Sequence, residues 1–194
     1  MTEPTWGTAV KIGHIFLGQS SVSTTRHFIA LVEALAHHGL QQHAFVSSAL
    51  LARRLAHCRN VTVGPVMKAP VTAYCLMRRL DIAHVHDDKS GQAGLLLTLT
   101  RSVPYVLTTR GDDRPGKNPV TRSIYRRAAS LICRSDDEMQ IALANAPAAR
   151  IDVVPDIEKA LTGEPNITSN YAAAEHLRIY RRAVDARQLP EMVL

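Results

Sequence analysis

The feature that most constrains this chain is alternation: short apolar runs take turns with segments of helical periodicity along most of its 194 residues. Strand patterns fall at Ala9–Leu17, Gln42–Val46, Val61–Val66, Leu80–His86, Pro104–Thr108, Leu131–Arg134 and Ile151–Val154. Helical patterns lie between them, at Thr24–His38, Ser48–His57, Pro70–Arg79, Gly91–Arg101, Pro119–Ala129 and Asp136–Ala146. Thr24–His38 places Phe28, Leu31, Val32 and Leu35 at core spacing, and Gly39 ends it. Pro70 opens its helix, where a missing N–H costs nothing. Strands separated by helices require right-handed crossovers and a parallel sheet covered on both faces.

The expected fold is therefore α/β: a doubly wound, mostly parallel, Rossmann-like sheet with helices on both faces, occupying residues 1–155. The length suits one domain with a substantial core. The pattern breaks after Pro155. Residues 156–170 hold Gly163, Pro165 and Asn166 and few large apolar residues, and read as a linker. A last helix, Tyr171–Arg187, follows within residues 171–194. Ala174, Leu177, Tyr180 and Val184 share one face, and Arg178, Arg181, Arg182 and Arg187 lie on or beside the other. A single helix after a linker is expected to dock on the domain.

Composition narrows the partners. The net charge of +6 and a pI of about 9.5 favour an acidic partner: anionic lipid, a phosphorylated substrate or nucleic acid. Aromatic residues make up only 5%, too few for the stacking platforms of single-strand binders, so no specific nucleic acid is expected. Cys58, Cys75 and Cys133 have neither metal-ligand nor redox-motif spacing and read as reduced, partly buried thiols of a cytoplasmic protein. The first residues do not read as a signal peptide. No run approaches the ~20 apolar residues of a membrane span, so membrane contact is expected to be peripheral.

Candidate chemistry concentrates at Asp81–Asp88, DIAHVHDD. His84 and His86 stand two apart and face one side of a strand. The strand ends in Asp87 and Asp88, then small loop residues, the place where open α/β sheets bind ligands. His84 lies deeper and reads as a core histidine. His84, His86 and Asp87 are of zinc-ligand type, but no further ligand stands at helical spacing, and no metal site is assigned. Asp87 and Asp88 are each a carboxylate base or a helix cap, the cap fitting Asp88 better. Ser20, Ser21, Ser23, Thr24 and Thr25 crowd the first loop, suited to phosphate or sugar hydroxyls, or to capping by one of them. Arg26 and His27 open the helix. A basic run, Arg110 to Arg127, follows another strand end and is either a solvated face or an anion site. Neither G-x-G-x-x-G, nor a P-loop, nor a G-x-S-x-G elbow is present.

Four segments together resemble the N-terminal half of a GT-B glycosyltransferase of glycosyltransferase family 4. KIGHIFLGQSSVSTTRHFIALVEALAHHG is similar to that family's first strand, phosphate-side loop and helix. DIAHVHDDKSGQAG is similar to its D-hydrophobic-hydrophobic-H-x-H strand, and VPYVLTTRG to its P-hydrophobic-V-x-T-x-H-G strand. LICRSDDEMQIAL with RIDVVPDI is similar to its closing helix and strand. The chain departs in three places: Val22-Ser23-Thr24 replaces a tandem glycine, Arg110 stands where the family has His, and Asp156-Ile157 follows Pro155 in place of Asn-Gly. The family's two glutamates eight positions apart, carried by its donor domain, have no counterpart in this sequence.

The resemblance implies a glycosyltransferase-like protein of surface polysaccharide, lipopolysaccharide or lipid-linked glycan biosynthesis, supplying the acceptor half of a GT-B site. His86 would be catalytic, with Ser21, Ser23, Thr24, Arg26, Asp87 and Arg110 binding substrate. Its partners would be a nucleotide-sugar donor, brought by a second protein, and a glycan or phospholipid-type acceptor at the inner membrane face. Self-association is compatible with this, and no cofactor is implied. The alternative is a catalytically inactive binding or scaffold module derived from such an enzyme.

Overall fold

The computed structural model describes residues 10–18, 21–109, 118–155 and 169–188. Strand and helix alternate as expected: β1 (Lys11–Phe16), α1 (Val22–His37), β2 (Gln41–Val46), α2 (Ala49–Leu55), β3 (Val61–Val63), α3 (Pro70–Leu76), β4 (Ile82–Val85), α4 (Asp88–Arg101), β5 (Tyr105–Thr108), α5 (Pro119–Arg127), β6 (Ser130–Cys133), α6 (Asp136–Asn145), β7 (Ile151–Val153) and α7 (Ser169–Gln188). The seven strands form one sheet in the order β3-β2-β1-β4-β5-β6-β7, and every pairing is parallel. This is the doubly wound, Rossmann-like arrangement.

Period-two alternation sorts the strand residues onto two faces. Ile15, Val85, Leu107 and Leu131 face α3–α6 and pack with Met77, Leu97, Ile124 and Ala142. Ile12, Ile82, Val106 and Ile132 face the other way, against Leu31 and Leu35 of α1 and Ala172, Leu177 and Tyr180 of α7. Phe16, Ala44 and Val46 extend that second layer to Phe28 of α1 and Leu55 of α2. Burying large aliphatic and aromatic side chains on both faces, at roughly 1.5–3 kcal/mol each, supplies the main drive for folding.

Several elements are shorter than their patterns suggest. The third strand stops at Val63, before Gly64, and α3 stops at Leu76. α4 is instead longer: it begins at Asp88 where the sequence pattern places a start at Gly91. Gly91 and Gly94 belong to the helix because α4 packs tightly there. A Cβ on Gly91 would lie 2.5 Å from Ile124 Cγ2, and one on Gly94 2.9 Å from the Tyr105 ring.

α7 packs on α1, β4 and β5 of the same chain. The sequence pattern misjudges its inner face. Ala174 is exposed and Val184 only half-buried, whereas Ala172, Ala173, His176, Ile179 and Ala183 join Leu177 and Tyr180 inside. A helix wedged against both α1 and the sheet buries a wider stripe than a helix lying on one neighbour. Arg182 is also not on a purely solvated face: it pairs with Asp152 on β7, which accepts from Ser130 Oγ at 2.5 Å. Most of the linker, residues 156–168, lies outside the described residues. Of the cysteines, Cys133 is buried, Cys58 half-buried and Cys75 exposed, and all are free.

Candidate functional site at the β1–β4 switch point

β1 and β4 are neighbours, yet the chain leaves β1 toward α1 on one face and β4 toward α4 on the other. The carboxyl ends of two strands that diverge in this way are where this fold class takes ligands. Leu17 and Gly18 follow β1 at this corner and His86 and Asp87 follow β4; of the four only Gly18 is partly exposed.

Asp87 builds this corner. Its backbone is extended (φ −163, ψ 162), and its carboxylate caps α4 by accepting from Ser90 N at 2.8 Å. The same carboxylate accepts from Ser90 Oγ at 2.6 Å, Leu17 N at 3.0 Å and Gly18 N at 3.1 Å. The helix cap is thus Asp87, not Asp88, because only the residue with extended backbone before the helix can turn its side chain onto the amide three residues on. Asp87 is 4% exposed, so its oxygens serve the chain's own backbone.

Ser21 is the N-cap of α1, its Oγ accepting from Thr24 N at 3.2 Å and pairing with Thr24 Oγ1 at 2.9 Å. Capping by one residue of this serine-rich loop was one of the two readings of the sequence. Ser23 and Arg26 are exposed on the first turn, and Thr24 is half-buried. The helix dipole makes such a terminus favourable to anions. His27, beside Arg26, turns into the core. Ser20 and Arg110 lie outside the described residues, as do Arg114 and Lys117; Arg122, Arg126 and Arg127 of the basic run lie on α5.

His86 is 2% exposed and does not reach solvent. Its ring lies edge-on to Phe28, with centroids 4.6 Å apart, and 3.9 Å from the ring of His84. Nε2 of His86 stands 3.1 Å from Nδ1 of His14, whose Nε2 lies 3.0 Å from Gln42 Oε1. Gln42 donates its own amide to Val32 O at 3.1 Å. Those bonds fix the tautomers: His14 carries its proton on Nε2 and accepts on Nδ1 from His86. His84 is the satisfied core histidine that the sequence suggested, between Tyr180 OH at 2.6 Å and Thr108 Oγ1 at 2.7 Å. Burial holds His14 down to about 3 and His176 to about 4, and depresses His84 strongly, so these imidazoles are neutral.

Sequence reasoning missed His14, Gln42, His176 and Tyr180 in this group. The signal for His14 was parity: it shares a strand face with Ile12 and Phe16, and lies opposite His84 once β1 and β4 are paired. His176 and Tyr180 stand one helical turn apart on α7, a spacing visible in the sequence but assigned to no site.

A family model for the glycosyl transferase 4-like domain matches residues 24–156. The chain belongs to the glycosyl transferase 4-like family. Among solved structures, this family member is similar to HepE (Alr3699) from Anabaena in complex with UDP-glucose, at 13% identity and a TM-score of 0.59, covering 75% of this chain and 43% of that one. It is similar to HepE in complex with UDP at 13% identity and a TM-score of 0.56, covering 92% of this chain and 68% of that one. It is also similar to a sucrose-phosphate synthase (tll1590) chain from Thermosynechococcus elongatus, at 17% identity and a TM-score of 0.58, covering 89% of this chain and 98% of that one. The chain thus spans less than half the length of the HepE chain bound to UDP-glucose, and at these identities the likeness is one of fold. No curated protein matches it. Among the described residues, no helix is long and apolar enough to cross a membrane.

Proposed function

We propose that this glycosyl transferase 4-like chain supplies the acceptor half of a GT-B glycosyltransferase site, in assembly of a surface polysaccharide or lipid-linked glycan. The observation that carries the reading is the β1–β4 switch point, where a 16-residue helix presents its N-terminus with exposed Ser23 and Arg26. An anionic group, a donor diphosphate or a phosphorylated acceptor, suits that corner. The UDP-glucose and UDP in the HepE complexes support a nucleotide-sugar donor, brought by a partner protein or a further domain. Ser21, Ser23, Thr24, Arg26 and Arg110 are the contacts proposed for it. Asp87 acts by holding the β1 exit loop, and His86 by packing beneath it.

The burial of His86 and Asp87 favours a second reading, a scaffold module derived from a glycosyltransferase. Calorimetric titration separates the two. The chain is titrated with UDP- and GDP-sugars and with phosphorylated glycan or lipid acceptors, alone and with co-purifying proteins. Acceptor binding that weakens about tenfold or more in Arg26→Ala and Arg110→Ala supports the first reading, since each charged contact contributes roughly 1.5–3 kcal/mol. A stable protein partner with no affinity for any of these ligands supports the scaffold.

A further inference from the structure

We propose that His14, His84 and His86 form a buried binding site for an imidazole-preferring divalent metal ion, Zn²⁺ foremost, between the sheet and α7. One ligand nitrogen from each of the three lies within 4.8 Å of the others, and all three residues are buried. The donor set is all imidazole, which suits zinc, copper, nickel and iron and excludes magnesium and calcium.

The spacing is close to what an ion needs. Two nitrogens on one tetrahedral zinc, at bonds of roughly 2.0–2.1 Å, stand about 3.3 Å apart. His14 Nδ1 and His86 Nε2 already stand 3.1 Å apart. To ligate, His86 moves its proton from Nε2 to Nδ1, a tautomer change that leaves the ring neutral.

The outer groups have the arrangement that metal-bound histidines use, in which the ring nitrogen away from the ion is held by an oxygen. Gln42 Oε1 holds Nε2–H of His14, and Val32 O fixes the Gln42 amide so that its oxygen points at the ring. His84 has a hydroxyl on each nitrogen, Tyr180 on Nδ1 and Thr108 on Nε2. Whichever nitrogen turns to the ion, one hydroxyl remains to orient the ring.

His176 supplies an independent sign of a missing cation. Its Nδ1 bonds Ala172 O at 2.8 Å and so carries the proton. Its Nε2 is therefore a bare lone pair, fully buried and without a hydrogen-bond partner among the described residues. Its ring centre lies 5.7 Å from that of His84. Among the described residues no donor reaches this lone pair; an ion beside His84 gives it a charge to face, with His176 as a fourth donor after a side-chain rotation. Burial keeps His14 and His84 deprotonated, which removes at those two ligands the proton competition that weakens exposed histidine sites. α7, through His176 and Tyr180, roofs the cluster, so the ion would also hold that helix to the sheet.

The proposal is independent of any sugar-binding role. The test uses the full chain without a polyhistidine tag, stripped with chelator and titrated with Co²⁺, then Zn²⁺. The expected result is one equivalent of Co²⁺ with the visible absorption of a four-coordinate nitrogen site, displaced by Zn²⁺, and a Tm that rises with Zn²⁺. His14→Gln and His86→Gln each lower affinity more than 100-fold. Gln42→Leu keeps all three imidazoles and lowers affinity roughly 10–100-fold; it carries the test if a histidine variant does not fold. A natively folded chain that takes up no equivalent of either ion overturns the proposal. So does binding that survives the Gln42→Leu and histidine changes but disappears when surface His37, His38 and His57 are replaced.

Discussion

Replacing Asp87 by alanine tests the corner on which the switch point depends. The carboxylate accepts from Leu17 N, Gly18 N, Ser90 N and Ser90 Oγ. Leu17 N keeps a second acceptor, Ser90 Oγ at 2.9 Å, so it is not orphaned. Ser90 N loses its cap, at about 1 kcal/mol. Gly18 N, half-buried, loses its acceptor, and Ser90 Oγ loses a buried one. At the low end of the ~1–3 kcal/mol for an unsatisfied group, these two add roughly 2 kcal/mol. The total is about 3 kcal/mol, or roughly 6–12 °C in Tm at ~2–4 °C per kcal/mol for a chain of this size. Urea unfolding followed by circular dichroism measures it. Asp88→Ala is the control and costs less, because Asp88 is already inside the helix, which Asp87 caps. Equal losses from the two substitutions, or a loss under about 1 kcal/mol from Asp87→Ala, would refute the reasoning.

With chelator present, the chain loses stability as pH falls below about 6.5. His14 and His176 have folded values near 3 and 4, below the unfolded value, so the unfolded chain binds the extra protons. Stability is complete above 6.5 and falls through the window down to 4 and 3; between pH 7 and 5 each contributes a loss of about 2 kcal/mol, and a urea midpoint that does not move contradicts this. Arg182→Ala removes the pair that ties α7 to Asp152 and costs about 1 kcal/mol, read as faster amide exchange along α7; unchanged exchange contradicts it. Gly91→Leu drives a side chain into Ile124, with Cβ already 2.5 Å from Cγ2, and costs ~1–3 kcal/mol by thermal unfolding. A wild-type Tm would show that α4 and α5 are not in contact there.

The architecture was legible in the sequence because period-two and period-3.6 patterns are local, and β-α alternation leaves few topologies. All seven strands and their parallel sense followed from it. The site was less legible, because its decisive facts are not local. Asp87 rather than Asp88 caps α4 because of a backbone angle at one residue. His86 lies at a strand end, as its position suggests, yet Phe28 of α1 and the rings of His14, Phe16 and His84 enclose it, which depends on how α1 and β1 pack against β4. His14 carries meaning only once β1 is known to lie against β4. His176 was hidden because the stripe read from the sequence shares only Leu177 and Tyr180 with the buried face, which is turned toward Ala172, Ala173, His176, Ile179 and Ala183.

The account's central claim is that ligand binds at the β1–β4 switch point. The most direct measurement is an amide NMR titration of the isotope-labelled chain with phosphorylated glycan acceptors and with UDP- and GDP-sugars. The claim predicts shifts concentrated at Leu17, Gly18, Ser21–Arg26 and Asp87–Ser90, saturating with one ligand and suppressed in Arg26→Ala. Saturable shifts confined to α5 or to the outer face of α7, with the switch-point amides unmoved, would contradict it.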